Sequence, residues 1–199
     1  MRASFSAIDS GSGGFVCPTL VPPCIVGITI FSTGLIVIHT RDEFMLDFLS
    51  GLDTPKLVGR VLATPAHAKR MVRALMENLA RYEQTFGGLP PQVENSRAKP
   101  GQVKDIYSQL QISAQVLGGT FSNSLTVKHA QDVFVMDFII NFPPVAKINA
   151  RFLASPGHFR RIISVLGDNL SQYEERFGKI DDGGSQPPQA QQPLWISLN

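Results

Sequence analysis

The sequence predicts an α+β fold of two tandem ββββα repeats, each an antiparallel sheet with one long helix, packed together as an intramolecular pseudo-dimer. Three repeated phrases predict it. FSTGLIVIHTRDEFMLDF, from Phe31 to Phe48, returns as FSNSLTVKHAQDVFVMDF, from Phe121 to Phe138. RVLATPAHAKR, from Arg60 to Arg70, returns as RFLASPGHFRR, from Arg151 to Arg161, after one residue added to the preceding loop. ENLARYEQTFG returns as DNLSQYEERFG. A self-match of this length marks a duplication, and an internal repeat decides the fold class before any single element does.

The elements follow in order. Ahead of the second copy, LQISAQV alternates, with Leu110, Ile112, Ala114 and Val116 on one side, which reads as a half-buried first strand. The first copy has CIVGITI in that place and a shorter first strand. The second strand is LIVIHT or LTVKHA. A polar turn then leads to the third strand, EFMLDFL or VFVMDFII, and a loop leads to the fourth, KLVGRVLA or AKINARFLA.

Thr64-Pro65 and Ser155-Pro156 place a hydroxyl at a helix N-cap and proline at the first helical position, where its missing N–H removes no bond. Ala68, Met71, Val72, Leu75, Leu79, Tyr82 and Phe86 then recur at helical spacing, as do Phe159, Ile162, Ile163, Leu166, Leu170, Tyr173 and Phe177. Gly87 and Gly178 are placed to end the helices in a left-handed cap.

These elements divide the chain into a poorly ordered leader (1–23), repeat 1 (24–88), a linker rich in proline and glycine (89–106), repeat 2 (107–180) and a disordered tail (181–199). The apolar stretch FVCPTLVPPCIVGITIF is broken by Pro18, Pro22 and Pro23, whereas a membrane helix needs about 20 unbroken apolar residues. The start also lacks the basic region and small-residue cleavage site of a secretory signal. Cys17 and Cys24 have no metal-binding spacing, and free thiols favour a reducing, cytoplasmic location. At 43% hydrophobic and 17% charged residues, the chain can build a core. A net charge of +2 gives no charge-based argument for nucleic acid.

The phrase FSNSLTVKHAQDVFVMDF, the strand end ARFLASPGHFRR and the helix end YEERFG together resemble a prokaryotic family called domain of unknown function 3467. Its members read as an aromatic-Ser-Asn entry, a strand-final His, Glu-Phe-x-x-Asp-Phe, Ser-Pro-x-His-x-(Lys/Arg)-Arg and a closing Tyr-Glu-x-x-Phe-Gly. Copy two matches from Phe121 to Gly178 and copy one from Phe31 to Gly87, with Thr33 where copy two has Asn123. The family is usually a single short copy, so the resemblance implies a fused pair in place of a homodimer. It supplies no catalytic residues.

Asp47 and Asp137 sit in the third strand with their side chains opposite to the phenylalanines. In an antiparallel hairpin they fall near Arg60 and Arg151, either as structural ion pairs that set register or as a polar binding spot. His39 and His129 end the second strands, and His67 and His158 lie in the first helical turns. No Cys or Glu completes a ligand spacing, so no metal site and no cofactor is expected. His67, Lys69, Arg70 and Arg73, with His158, Arg160 and Arg161, form a basic patch near the helix starts. It is either a solvated face or an anion or partner site. Asn78 and Asn169 sit beside the apolar stripes, as surface amides or as markers of register between packed helices.

No phosphate loop, nucleophile elbow or activated cysteine is present, and an enzyme is not expected. The expectation is a non-catalytic protein-binding or assembly module, chaperone-like by analogy with an export chaperone of similar element order. The alternative is a single-stranded nucleic-acid-binding module, by analogy with paired ββββα repeats that bind purine-rich elements. That reading requires exposed aromatics on a basic sheet face.

Overall fold

Residues 29–51, 54–90 and 102–183 are described by the computed structural model, with the side chains of 102–104 excepted. The expected leader and most of the expected tail lie outside the described residues. Copy one runs β1 (Thr29–Phe31), β2 (Gly34–His39), β3 (Phe44–Ser50), β4 (Lys56–Ala63) and α1 (Pro65–Phe86). Copy two follows with α2 (Gln102–Gln109), β5 (Gln111–Ile112), α3 (Ala114–Leu117), β6 (Thr120–Phe121), β7 (Ser124–Ala130), β8 (Val133–Phe142), β9 (Val145–Ala154) and α4 (Pro156–Phe177). The fold is α+β, with two mixed sheets. Among the described residues no helix is long and apolar enough to cross a membrane.

Each copy builds an antiparallel three-stranded meander, β2-β3-β4 or β7-β8-β9. The first strand of each copy does not join its own meander. Strand β1 pairs in parallel with β9 of copy two, Ile30 beside Phe152. Strand β6 pairs in parallel with β4 of copy one at the matching place, Thr120 beside Val61. The chain then crosses into its own copy. Ser32 N donates to the Leu153 carbonyl (2.8 Å) and Thr33 N to that of Leu49 (2.8 Å). Ser122 N donates to Leu62 (2.9 Å) and Asn123 N to Ile139 (3.1 Å).

The helices cross over as well. Helix α1 packs on β7, α4 packs on β2, and the two helices touch each other. Each is tied down by a tyrosine. Tyr82 Oη donates to the Gln131 carbonyl (2.7 Å) and Tyr173 Oη to that of Arg41 (2.6 Å), each in the β-turn of the other copy. The principal core draws on both copies, including Phe44, Phe48, Phe134, Phe152 and Phe159. The Phe48 and Phe152 rings stack at 3.9 Å and 11°. Phe134 and Phe159 stack at 3.8 Å and 7°.

The helix starts have the expected caps: Thr64 Oγ1 accepts from His67 N, and Ser155 Oγ accepts from His158 N. Gly87 and Gly178 end the helices at φ 90° and 93°, but their ψ of 164° and 167° is extended and not left-handed helical. The expected strand over Leu110–Val116 is corrected. Only Gln111 and Ile112 are extended, and Ala114–Leu117 forms a helical turn whose N-cap, Ser113, offers its carbonyl to Val116 N (3.1 Å) and Leu117 N (3.2 Å). The turn lets Leu110 and Val116 reach one apolar cluster from two sides, which an extended strand carrying both on one face does not require. Thr120–Phe121 does the work of the first strand. Helix α2 also begins inside the span expected as linker.

The copies are not identical where they meet. A Cβ placed on Gly59 would lie 2.4 Å from Phe152 Cζ, so the large ring is accommodated because the residue beneath it has no side chain. The matching positions of the repeat are Ala150 and Val61, a larger residue with a smaller one. Gly59→Ala is therefore expected to destabilise the protein by about 1–3 kcal/mol through overpacking. Denaturant unfolding of Gly59→Ala, Phe152→Val and the double variant checks this. The double variant should lose less than the sum of the two, and strict additivity would show that the copies do not couple there.

Candidate functional site

The polar residues singled out in the sequence fall into three places. The first is the outer face of each sheet. Strand alternation turns Asp47 away from Phe44, Leu46 and Phe48, and register places it opposite Arg60; Asp137 stands opposite Arg151 in the same way. Arg60 Nε and Nη2 donate to the two Asp47 oxygens at 2.7 and 2.8 Å. Arg151 donates likewise to Asp137 at 2.5 and 2.8 Å. One strand residue bulges just beyond each pair, between Phe48 and Leu49 and between Phe138 and Ile139 on the partner side.

The two faces differ in cover. Over the first sheet, Ile106, Tyr107, Leu110 and Val116 pack on Ile36, Leu49 and Leu57. Tyr107 Oη donates to Asp47 Oδ2, and Arg60 Nη1 donates to the Leu117 carbonyl at 2.9 Å. Burial, reinforced by Asp47, pushes the Tyr107 hydroxyl up. The bond to Asp47 raises Arg60 against its own desolvation. The Arg60 side chain is 12% exposed and that of Arg151 is 37%. Bidentate and dry, the Asp47 pair is a structural element whose loss leaves a buried charge.

The second place is the start of the two long helices. Helical spacing turns His67 and His158 inward, and both are buried. His158 Nε2 lies 3.2 Å from Ser32 Oγ, whose single proton goes to a carbonyl, Gly34 at 3.0 Å being the nearer. The hydroxyl thus accepts from an Nε2–H. The His67 ring nitrogens meet no hydrogen-bond partner among the described residues. Burial first, with Arg70 and Arg161 adding repulsion, lowers both histidines from 6.5 to about 4. His39 and His129 instead pack against aromatic rings, Phe44 and Tyr173 in one case, Tyr82 and Phe134 in the other. Among the described residues no three His, Cys, Asp or Glu side chains converge as a metal set.

The basic residues are brought onto the segments that follow the opposite helix. Lys69 Nζ donates to Glu174 Oε1 (2.9 Å) and to the Ile180 carbonyl (3.0 Å), which holds the Glu174 carboxyl below its usual range. Arg70 donates to the Asp182 carbonyl (3.2 Å) and Arg73 to its carboxylate (2.8 Å). Arg160 reaches back to the carbonyls of Leu89 (3.4 Å) and Pro90. Arg161 is exposed. Asn78 and Asn169 donate to carbonyls four residues back in their own helices, Ala74 (2.8 Å) and Val165 (2.9 Å), and not across to the other helix.

The third place is a cleft of about 470 Å³ between α1 and α4. Its apolar lining includes Val72, Met76 and Leu170, and charges of both signs, Lys69 and Glu77 among them, surround it. Met76 is 56% exposed. Sequence reasoning did not single out this cleft, Ser32 and Ser122 at the crossings, or Tyr107. An identical Ser after Phe31 and Phe121 was the available signal for the serines; for the cleft there was none, because Met76 reads as a surface helical residue.

Two predictions follow from these geometries. Asp47→Asn, which keeps size but removes the charge, should cost about 3–5 kcal/mol, as breaking a buried pair does, and Asp137→Asn clearly less because its arginine reaches solvent. Urea unfolding of both variants measures this, and equal losses would contradict the assigned difference in burial. For pH, a histidine depressed on folding contributes stability that is present above pH 6.5 and lost as pH falls towards 4, because the unfolded chain binds the extra proton. Each contributes on the order of 2–3 kcal/mol. The fall in urea midpoint between pH 7 and 4.5 should shrink in the His67→Gln/His158→Gln protein; an unchanged fall would assign it to the carboxylates.

Comparison with known proteins bears on the same repeats. No curated protein matches the chain. The family model described as protein of unknown function, DUF3467, matches twice, over residues 25–90 and again over 92–182. Together the two matches cover most of the chain and coincide with the two copies. The chain belongs to this family, as a tandem duplication of its domain.

Proposed function

We propose that the protein is a non-catalytic protein-binding module in which the two family domains form an intramolecular pseudo-dimer and the cleft between α1 and α4 receives an apolar segment of a protein partner. Reciprocity supports the pseudo-dimer: β1 lies on β9 and β6 on β4, while α1 covers β7 and α4 covers β2. The coupling of Gly59 with Phe152 is its test.

The exposed Met76 carries the partner reading. A flexible, polarizable side chain over an apolar lining suits a surface that adapts to another side chain, and a surround of both charges suits a polypeptide better than a polyanion. Single-stranded nucleic acid is the alternative. It is less supported because Phe44, Phe48, Phe134 and Phe138 are buried, and the exposed Phe31 and Phe142 stand at the ends of their strands in a chain of net charge +2.

Crosslinking from Met76 replaced by a photoreactive methionine analogue should capture a defined protein from the native host. Met76→Glu should weaken binding of that purified protein at least about tenfold, the loss expected from a central apolar contact. Unchanged binding in the variant would remove the cleft from the interface. Micromolar binding to a mixed single-stranded DNA and RNA pool, weakening steeply with salt, would replace the reading with the nucleic-acid one.

A further inference from the structure

His67 and His158 hold matching places in the two copies and are equally buried, each at 3% exposure. Their partners differ. His158 meets the Ser32 hydroxyl at 3.2 Å. Neither ring nitrogen of His67 meets a hydrogen-bond partner among the described residues, although Ser122 stands where the other copy has Ser32. A buried polar group is costly to leave unpaired, and two such nitrogens on one ring call for a partner. His67 lines a cavity of about 260 Å³ between the first turns of α1 and the start of β7. That is several times the ~30 Å³ share of one water, and close to the roughly 300 Å³ at which small-molecule pockets begin.

The walls are cationic and polar. Arg70 and Arg73 line the cavity from α1, and Asn123 and Ser124 line it from the entry to β7. Positions 67, 70 and 73 are three residues apart, so they follow one another along one side of the helix. Each arginine gives Nη1 to Asp182, Arg70 to the carbonyl and Arg73 to the carboxylate. A guanidinium has five N–H donors, so these bonds exhaust neither. Two bonds between Asn123 and Asn141 fix the opposite wall. Glu77 is the acidic member of the lining; its side chain is 57% exposed and lies 3.9 Å from Arg81. The helix-start amides play no part, since Thr64 already takes His67 N and Ala68 N.

Divergence between the copies gathers at this cavity. The residues matching Arg73, Asn123 and Ser124 are Ser164, Thr33 and Gly34, so the His158 end has one guanidinium fewer and no side chain in place of the Ser124 hydroxyl. The orphaned histidine and the added donors therefore occur together, in the same half of the pseudo-dimer.

We propose that this cavity binds the phosphate group of a small ligand, held by the His67 imidazole, the Arg70 and Arg73 guanidinia and the Ser124 hydroxyl. A carboxylate is a poorer fit. The two oxygens of Asp137 are satisfied by the fork of one arginine, whereas four donor groups from two elements suit the greater charge and additional oxygens of a phosphate. Burial, with Arg70 adding repulsion, holds His67 at about 4, so the ring is neutral at pH 7. It has one N–H for a phosphate oxygen and one lone pair for a ligand hydroxyl. The site does not depend on the protein-binding reading: Arg73 and Glu77 border both cavities, but Met76 lines the cleft alone.

Inorganic phosphate is the probe. It is titrated at pH 7 and constant ionic strength into the full chain carrying isotope-labelled histidine, and the imidazole resonances are followed by NMR, with His67→Gln to assign the signal. The His67 resonances should shift saturably, with half-saturation in the millimolar range or tighter, while those of His39, His129 and His158 stay in place. Arg73→Ser, which installs the residue of the other copy at a half-exposed position, should weaken the binding about tenfold, as loss of a hydrogen bond to a charged group does. A linear drift shared by His67 and His158 overturns the proposal, as does unchanged half-saturation in Arg73→Ser. Acetate that saturates the same shift as tightly as phosphate overturns the assignment of a phosphate group.

Discussion

Everything in this molecule depends on where β1 and β6 pair. A strand of two or three residues is too short to hold itself in place, and a sheet edge left open invites pairing with another chain. Each copy meets both difficulties with the other's help. Its last strand gives its edge to the first strand of the opposite copy, and its own first strand does the reverse. Once those strands are exchanged, Ser32 and Ser122 become crossing points where the backbone passes between sheets. Both are fully buried, and their hydroxyls satisfy carbonyls of the loop and the adjoining strand. The long helices then close over the opposite meanders and bind the opposite β-turns through Tyr82 and Tyr173.

Fusion into one chain lets the halves diverge. In a symmetric dimer, residue i meets j and j meets i, so any change is made twice. Here Gly59 lies beneath Phe152 while its counterpart, Ala150, lies where the repeat has Val61 in place of that ring. Asp47 carries a tyrosine hydroxyl as well as its arginine, whereas Asp137 is bound by its arginine at a position more open to solvent. The same freedom explains the basic residues. Lys69, Arg70 and Arg73 hold the segment after α4, whereas copy two has Ser164 at the place of Arg73, and Arg160 makes the reciprocal contact to Leu89 and Pro90.

Features governed by near neighbours were legible in the sequence. The Thr-Pro and Ser-Pro caps, the helical stripes and the alternation of β3 and β8 are local, and each leaves a period or a fixed offset that can be counted. The exchange of strands was not legible, since three extended residues look the same beside either sheet. Leu110–Val116 misled because its apolar residues have a spacing of two but are used across a helical turn. The basic stretch displayed its charges but not the carbonyls of Leu89 and Ile180, which arrive from the ends of opposite helices. Asn78 and Asn169 each donate to the carbonyl four residues back in their own helix, and such a bond has no sequence signature that separates it from a contact between helices.

The Asp–Arg pairs can be understood through register rather than strength. A buried ion pair contributes little net stability, because desolvating both charges offsets their attraction. Its effect falls on the alternatives. Sliding β3 by one residue along β4 would turn Asp47 into the core among Phe134, Phe152 and Val61, where no cation waits, and turn Phe44 and Phe48 outward. The bulge after Phe48 sharpens this, since it permits one count of residues between the pair and the hairpin loop. The same arrangement recurs at Asp137 and Phe138. Two meanders that must each present an edge at matched height to the other's first strand have little tolerance for slippage. A charge that is satisfied in one register alone supplies that intolerance in each sheet, and the exchanged strands then find their places on β4 and β9.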